Sequence, residues 1–157
     1  MNSSIVNNDL QLTYPDDFHI LSSEEMKEKF SSAVPDQWGI GNSEGNILIV
    51  VLSKKINALL AALADPKATV KKTQSAMEKL LKNNNYVFHD YFVCSTKSGE
   101  AYGFSYEYQS KGETKCARTV VLKSKHYMYT LNYYYGKENA KTAEDTFDTV
   151  TAALTFK

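Results

Sequence analysis

Three histidines, two cysteines and one arginine are the residues in this sequence best suited to chemistry, and their spacing points to none. Nucleophilic catalysis needs a nucleophile, a base and a group that orients the base. No Gly-x-Ser-x-Gly turn is present, and neither Cys94 nor Cys116 lies in a recognisable catalytic context. His89 and Asp90 are adjacent, and adjacent residues of a strand face opposite sides, so they make no dyad. His19 and Asp17 share a face beside a turn, which gives a surface charge contact; His126 opens a strand and lines an edge. A metal centre needs clustered ligands, such as two histidines one helical turn apart. All three histidines fall in extended segments far apart in the chain, so neither a metal nor a cofactor is expected. The run "GIGNSEG" at 39–45 precedes a strand, whereas a phosphate cradle must precede a helix N-terminus.

Residues that could grip a partner are easier to find. Trp38, the only tryptophan, lies in a loop with three of the seven glycines and could anchor an interface or fold back over the core. Lys67, Lys71 and Lys72 open a lysine-rich helix that could meet an anionic partner, or simply be solvated. Ten of the eleven tyrosines fall between residues 86 and 135. Tyr102, Tyr106 and Tyr108 share one side of their strand, and Tyr127, Tyr129, Tyr133 and Tyr135 share one side of theirs. Such rows favour β structure in themselves, with rings packed on a half-wet sheet face. The competing reading is a concave aromatic surface, with Tyr102, Tyr106, Tyr129 and Tyr133 as its candidate residues.

The elements that would position these residues follow from periodicity. Residues 10–14 alternate as a short strand, Pro15-Asp16-Asp17 is turn chemistry, and 18–20 resume an extended run. Ser22 with Glu25 is a capping box, which predicts a helix at 23–30. Residues 31–46 read as a loop and 46–53 as a central strand buried on both faces. "INALLAALADP" has a helical stripe of Ile56, Leu59, Leu60 and Leu63; with Asn57 its only polar residue before Asp65, it reads as buried rather than as a docking face. Asp65-Pro66 then caps a helix at 66–82. From Tyr86 the period becomes two, giving strands at 86–96, 101–110, 115–124 and 126–135. A last helix is expected at 143–154 with Thr142 as its cap and Phe147 and Val150 on its buried face. The order predicts an α+β fold, one antiparallel-rich sheet with helices packed on it, in one domain over 1–157 with 1–8 a loose arm.

Length and composition fit that domain. Formal net charge is zero but uneven: residues 1–46 carry −6 and residues 47–82 carry +5. Opposite-sign surfaces that neutralise each other explain this as well as an anion-attracting patch does. One arginine against seventeen lysines makes nucleic-acid readout a poor fit. No window approaches the roughly 18 apolar residues of a membrane span, and the N-terminus has no export signal, so the cytoplasm is expected unless a signal was removed. In the meander, the rung of Cys94 passes well beyond Cys116, so both are expected to be free thiols.

"YPDDFHI" at 14–20, "GFSYEY" at 103–108 and "FDTVTAALTF" at 147–156 resemble the PsbP-like family, which includes the nuclear Ran-binding Mog proteins and small bacterial cytoplasmic members. The resemblance spans Leu10 to Phe156 and implies an α-β-α sandwich with a non-catalytic binding role. No functional residue of that family transfers onto this sequence. Two functions are therefore expected to compete. One is a binding module for a protein partner, using Trp38, the lysine helix or the tyrosine face. The other is a small-molecule carrier or small enzyme with a pocket between sheet and helices.

Overall fold

The computed structural model describes residues 1–30 and 37–157, so the first part of the loop expected at 31–46 lies outside them. The chain forms β1 (Asn2–Val6), β2 (Leu10–Tyr14), β3 (Phe18–Ile20), α1 (Ser23–Lys29), β4 (Gln37–Asn42) and β5 (Ile47–Lys55). Then come α2 (Ala58–Ala61), α3 (Pro66–Leu80), β6 (Val87–Thr96), β7 (Gly99–Ser110), β8 (Glu113–Lys123), β9 (Tyr127–Gly136), α4 (Ala140–Ala153) and β10 (Thr155–Phe156).

The four-strand meander is β6 to β9, each hairpin closed by the glycine or serine turn that the sequence marks. It forms most of a seven-stranded antiparallel sheet ordered β3-β4-β5-β9-β8-β7-β6. In register, Tyr102 is opposite Val121 and Tyr129 is opposite Leu122, and Val121 and Leu122 are neighbours on β8. The two tyrosine rows therefore face opposite sides of one sheet. Helices α1 and α3 pack on the face of Tyr102, around Val50, Val70, Phe104, Tyr106 and Val121. Helix α4 packs on the face of Tyr129 with Ala143, Phe147 and Val150 fully buried.

Several expectations need correction. The entry strand does not join the main sheet. It pairs with β1 and β10 in a separate three-stranded sheet, which covers the α4 face together with that helix. Residues 1–8 are accordingly not a loose arm. Asn7 and Asn8, in the three-residue connection, both adopt φ of 56°, which asparagine tolerates, as the central residues of a turn closed by the Asp9 amide donating to the Val6 carbonyl at 3.0 Å. The hairpin buries Val6, and the Ser4 and Tyr14 hydroxyls are hydrogen-bonded at 2.6 Å. Residues 37–42 of the expected loop are strand β4, with Trp38 on it. Its glycines suit close approach: a Cβ on Gly41 would stand 2.9 Å from Leu48, and one on Gly39 would stand 3.1 Å from the Met26 sulfur. Helix α4 begins at Ala140, ahead of Thr142, because a 3₁₀ turn at Lys137–Asn139 leads into it.

The caps of the first and third helices match their signatures. Ser22 Oγ accepts from the Glu25 amide at 3.1 Å and the Glu25 carboxylate accepts from the Ser22 amide at 3.2 Å. Asp65 accepts from the Lys67 amide at 3.0 Å, with Pro66 in the first turn.

Cys94 is opposite Ala101, which the β7–β8 register sets level with Leu122, six residues past Cys116. That offset is about 20 Å along the strands, against the roughly 7 Å between Cα atoms that a disulfide allows. Counting thiols in the denatured, non-reduced protein is expected to give two per chain; none in an intact monomer would refute this register.

Candidate functional site

Strand β6 is the open edge of the large sheet, paired only with β7 among the described residues. Edge strands are usually short or guarded by lysine, proline or a bulge. β6 is ten residues long and contains no lysine or proline. Its one guard is a bulge between Phe88 and Asp90 that breaks the alternation and lets His89 approach the Glu107 carboxylate at 3.2 Å. Helix α4 contacts β6 on one face, whereas on the other α3 contacts mainly β7 and β8 and leaves the outermost strand open. Phe88, Tyr91 and Val93 on that open face are 36–57% exposed, with the Phe88 and Tyr91 rings in contact at 4.9 Å between centroids, and Val87 on the opposite face is 47% exposed.

A cleft lies on each face beside this edge. On the α3 side, an apolar cleft of about 260 Å³ is lined by Val70, Tyr91, Val93 and Tyr102 with Lys67 and Lys71 on its rim. The Lys67 ammonium lies 5.1 Å from the centre of the Tyr102 ring, a cation–π contact. The Tyr102 hydroxyl donates to Glu100 at 3.2 Å, and that bond to the carboxylate holds its pKa above the usual phenol range.

On the α4 side, a cleft of about 460 Å³ is lined by Asp90, Cys94, Arg118, Tyr133 and Asp148. Its one guanidinium is engaged: Arg118 donates to Asp148 at 2.9 Å and lies 3.9 Å from Glu144. Burial, and then the Asp148 charge, push the Cys94 thiol up, which opposes the thiolate that nucleophilic chemistry would need. Burial likewise raises Cys116. Among the described residues no three of His, Cys, Asp and Glu gather as a metal site. The arrangement can hold a chain segment or a ligand; the groups beside it are not poised to attack one.

Of the residues singled out in the sequence, Lys67, Lys71 and Tyr102 come together around the α3-side cleft. Lys72, one residue further round the helix, is exposed outside it. Trp38 is half-buried on β4, opposite Val51 and packed against the main core, far along the sheet from β6. Tyr106, Tyr129 and Tyr133 are interior residues and line no accessible aromatic face. Tyr106 stacks on Phe104 and Tyr108. Tyr129 donates to Asp9 at 2.8 Å. Tyr133 stacks on Phe147 at 4.4 Å and is hydrogen-bonded to Thr151 at 2.7 Å. The partner of His19 is Glu25 at 2.9 Å rather than Asp17, because α1 brings its first turn back over β3; that bond is the main cause of a lowered Glu25 pKa.

The edge residues of β6 escaped the sequence reading. A signal was present: "VFHDYFV" is apolar at both alternations in the first strand of a meander, a strand that has a neighbour on one side only.

No known family model and no curated protein matches the sequence. Solved structures do match the fold. LpqN of Mycobacterium tuberculosis, described as involved in cell envelope biogenesis, is 19% identical with a TM-score of 0.65, covering 94% of this chain and 83% of its own. Cyanobacterial PsbP (CyanoP) from Synechocystis sp. PCC 6803 is 13% identical with a TM-score of 0.68, covering 98% and 90%. A Pseudomonas aeruginosa protein of unknown function, described as a putative regulator, is 14% identical with a TM-score of 0.51, covering 95% and 92%. At these identities the likeness is one of fold: the chain has a PsbP-like α+β architecture.

Proposed function

We propose that the protein is a non-catalytic binding module that docks a protein partner at the β6 edge and the α3-side cleft. The observation that carries this reading is the row of exposed apolar side chains, Phe88, Tyr91 and Val93, on a long sheet edge with unpaired backbone groups. Such edges bind extended segments through main-chain hydrogen bonds, and flanking pockets select alternate side chains. Lys67 and Lys71 on the rim would favour an acidic residue beside the apolar ones. The engagement of Arg118 by Asp148 and Glu144, together with a protonated Cys94, weighs against a small enzyme.

The compartment belongs to the same proposal. The separation of Cys94 and Cys116 makes their state silent on it. A fold neighbour described as involved in cell envelope biogenesis supports an extracytoplasmic place, the alternative to the cytoplasm expected above. Fractionation of source cells decides between them.

Parallel affinity capture from source lysate with wild-type and Val93→Lys baits tests the docking surface. Proteins recovered by the wild type and lost by the variant support it. Identical recoveries would sink it, provided that the variant keeps the wild-type thermal midpoint.

A further inference from the structure

Leu59, Leu60 and Leu63 are 79%, 52% and 78% exposed, although the apolar run that contains them looks like a core helix. At helical spacing all three fall on one side of the α2 turn. Their exposure is held in place. Asn57 accepts from the Leu60 amide at 2.7 Å and fixes the start of the turn. The Lys123 ammonium donates to the carbonyls of Ala61 at 2.7 Å and Ala64 at 2.8 Å, tying its end to the sheet. Ile56 N–H donates to the His126 carbonyl at 2.8 Å, fastening the entry to the β8–β9 turn. A chain that could fold these leucines inward would gain from removing each of them from water. Clustered apolar exposure of this kind marks a docking face.

Charge identifies the occupant. Lys54 and Lys55 end β5 immediately before the turn, and Lys125 and His126 lie in the β8–β9 turn that is bonded to it; all four are exposed. None of these lysines takes part in an ion pair among the described residues. No acidic residue occurs from 46 to 64 or from 114 to 137, and Asp65 is engaged as the cap of α3. Leucines on a pinned turn, flanked by Lys54, Lys55 and Lys125 in two segments that carry no acid, have the chemistry of a surface that rests in the headgroup region of an anionic bilayer.

We infer that the α2 turn is a peripheral docking site for an anionic lipid surface, with Leu59, Leu60 and Leu63 entering the interface and Lys54, Lys55 and Lys125 facing the headgroups. The site stands apart from the β6 edge and does not depend on the protein-binding role proposed there. It is also compatible with the finding that no helix of the described residues is long and apolar enough to cross a membrane.

Co-sedimentation with unilamellar vesicles tests it, using phosphatidylcholine alone and phosphatidylcholine mixed with phosphatidylglycerol. The full chain is expected to bind the mixed vesicles, to bind neutral ones weakly, and to be released by salt. Each lysine near such a surface is worth about fivefold in affinity, so Lys54→Glu with Lys55→Glu should weaken binding about 25-fold or more. Leu59→Ser with Leu63→Ser should abolish it while leaving the thermal midpoint and far-ultraviolet circular dichroism unchanged, since both side chains already face solvent. Three results would overturn the inference: no binding of the wild type to mixed vesicles, equal binding to neutral ones, or binding that survives the leucine substitutions. Self-association of the wild type that the leucine substitutions abolish, without vesicle binding, would assign the face to a second copy instead.

Discussion

Raising the pH from about 9 to about 12 is expected to unfold the protein and ionise its buried tyrosines in a single step. Tyr106, Tyr129, Tyr133 and Tyr135 are each less than a tenth exposed, and burial pushes all four phenols well above their ordinary range. Hydrogen bonds donated to Asp9 and Glu144 push Tyr129 and Tyr135 further in the same direction. In the unfolded chain these phenols ionise near pH ~10. Above that pH the unfolded chain binds fewer protons than the folded one, so stability is complete below it and falls as pH rises. Each tyrosine contributes a slope of about 1.4 kcal/mol per pH unit, and four together about 5–6. A stability of about 5–10 kcal/mol, within the range typical of a domain, is then exhausted between roughly pH 11 and 12. Tyrosinate absorbance and far-ultraviolet circular dichroism should change together over that interval. Ionisation of all the tyrosines with the circular dichroism intact would show that these rings are not sealed in the core.

Phe147→Ala is expected to cost about 3–5 kcal/mol. Phe147 is fully buried on α4, stacked on Tyr133 at 4.4 Å with 12° between the rings and tilted against Tyr135 at 5.5 Å. Removing the ring leaves a cavity between helix and sheet that backbone hydrogen bonding on both sides prevents from collapsing. It also loosens Val150 and Leu154, which lead into β10 and the small sheet. The urea midpoint should fall by about 2 M for a domain of this size. An unchanged midpoint would make α4 a peripheral helix.

Local rules in the sequence determined most of the elements. Alternation of period two marked all four strands of the meander to within a few residues, because strand geometry imposes it directly. Ser22 with Glu25, and Asp65 with Pro66, marked two helix starts, because a cap is made by residues two or three apart. The hairpin at Asn7-Asn8 was legible by the same kind of rule and was missed, since asparagine at φ above zero is tolerated rather than demanded. The meander register was also legible, and with it the separation of Cys94 from Cys116.

What covers each face was decided by tertiary structure alone. Alternation shows that Tyr102 and Tyr106 share a side and that Tyr129 and Tyr133 share a side. Whether those sides coincide depends on pairing through β8, and they do not. The exposure of Val93 depends on α3 lying over β7 and β8 and stopping short of β6, a packing choice made by residues far away in the chain. The leucines of α2 make the same point most sharply. Their composition says core, but Lys123, about sixty residues downstream, takes the carbonyls of Ala61 and Ala64 and holds the turn with its apolar side outward. Hydrophobicity near a residue sets how much burial would gain, whereas the direction in which the residue points is set by contacts between distant segments, which no local pattern encodes.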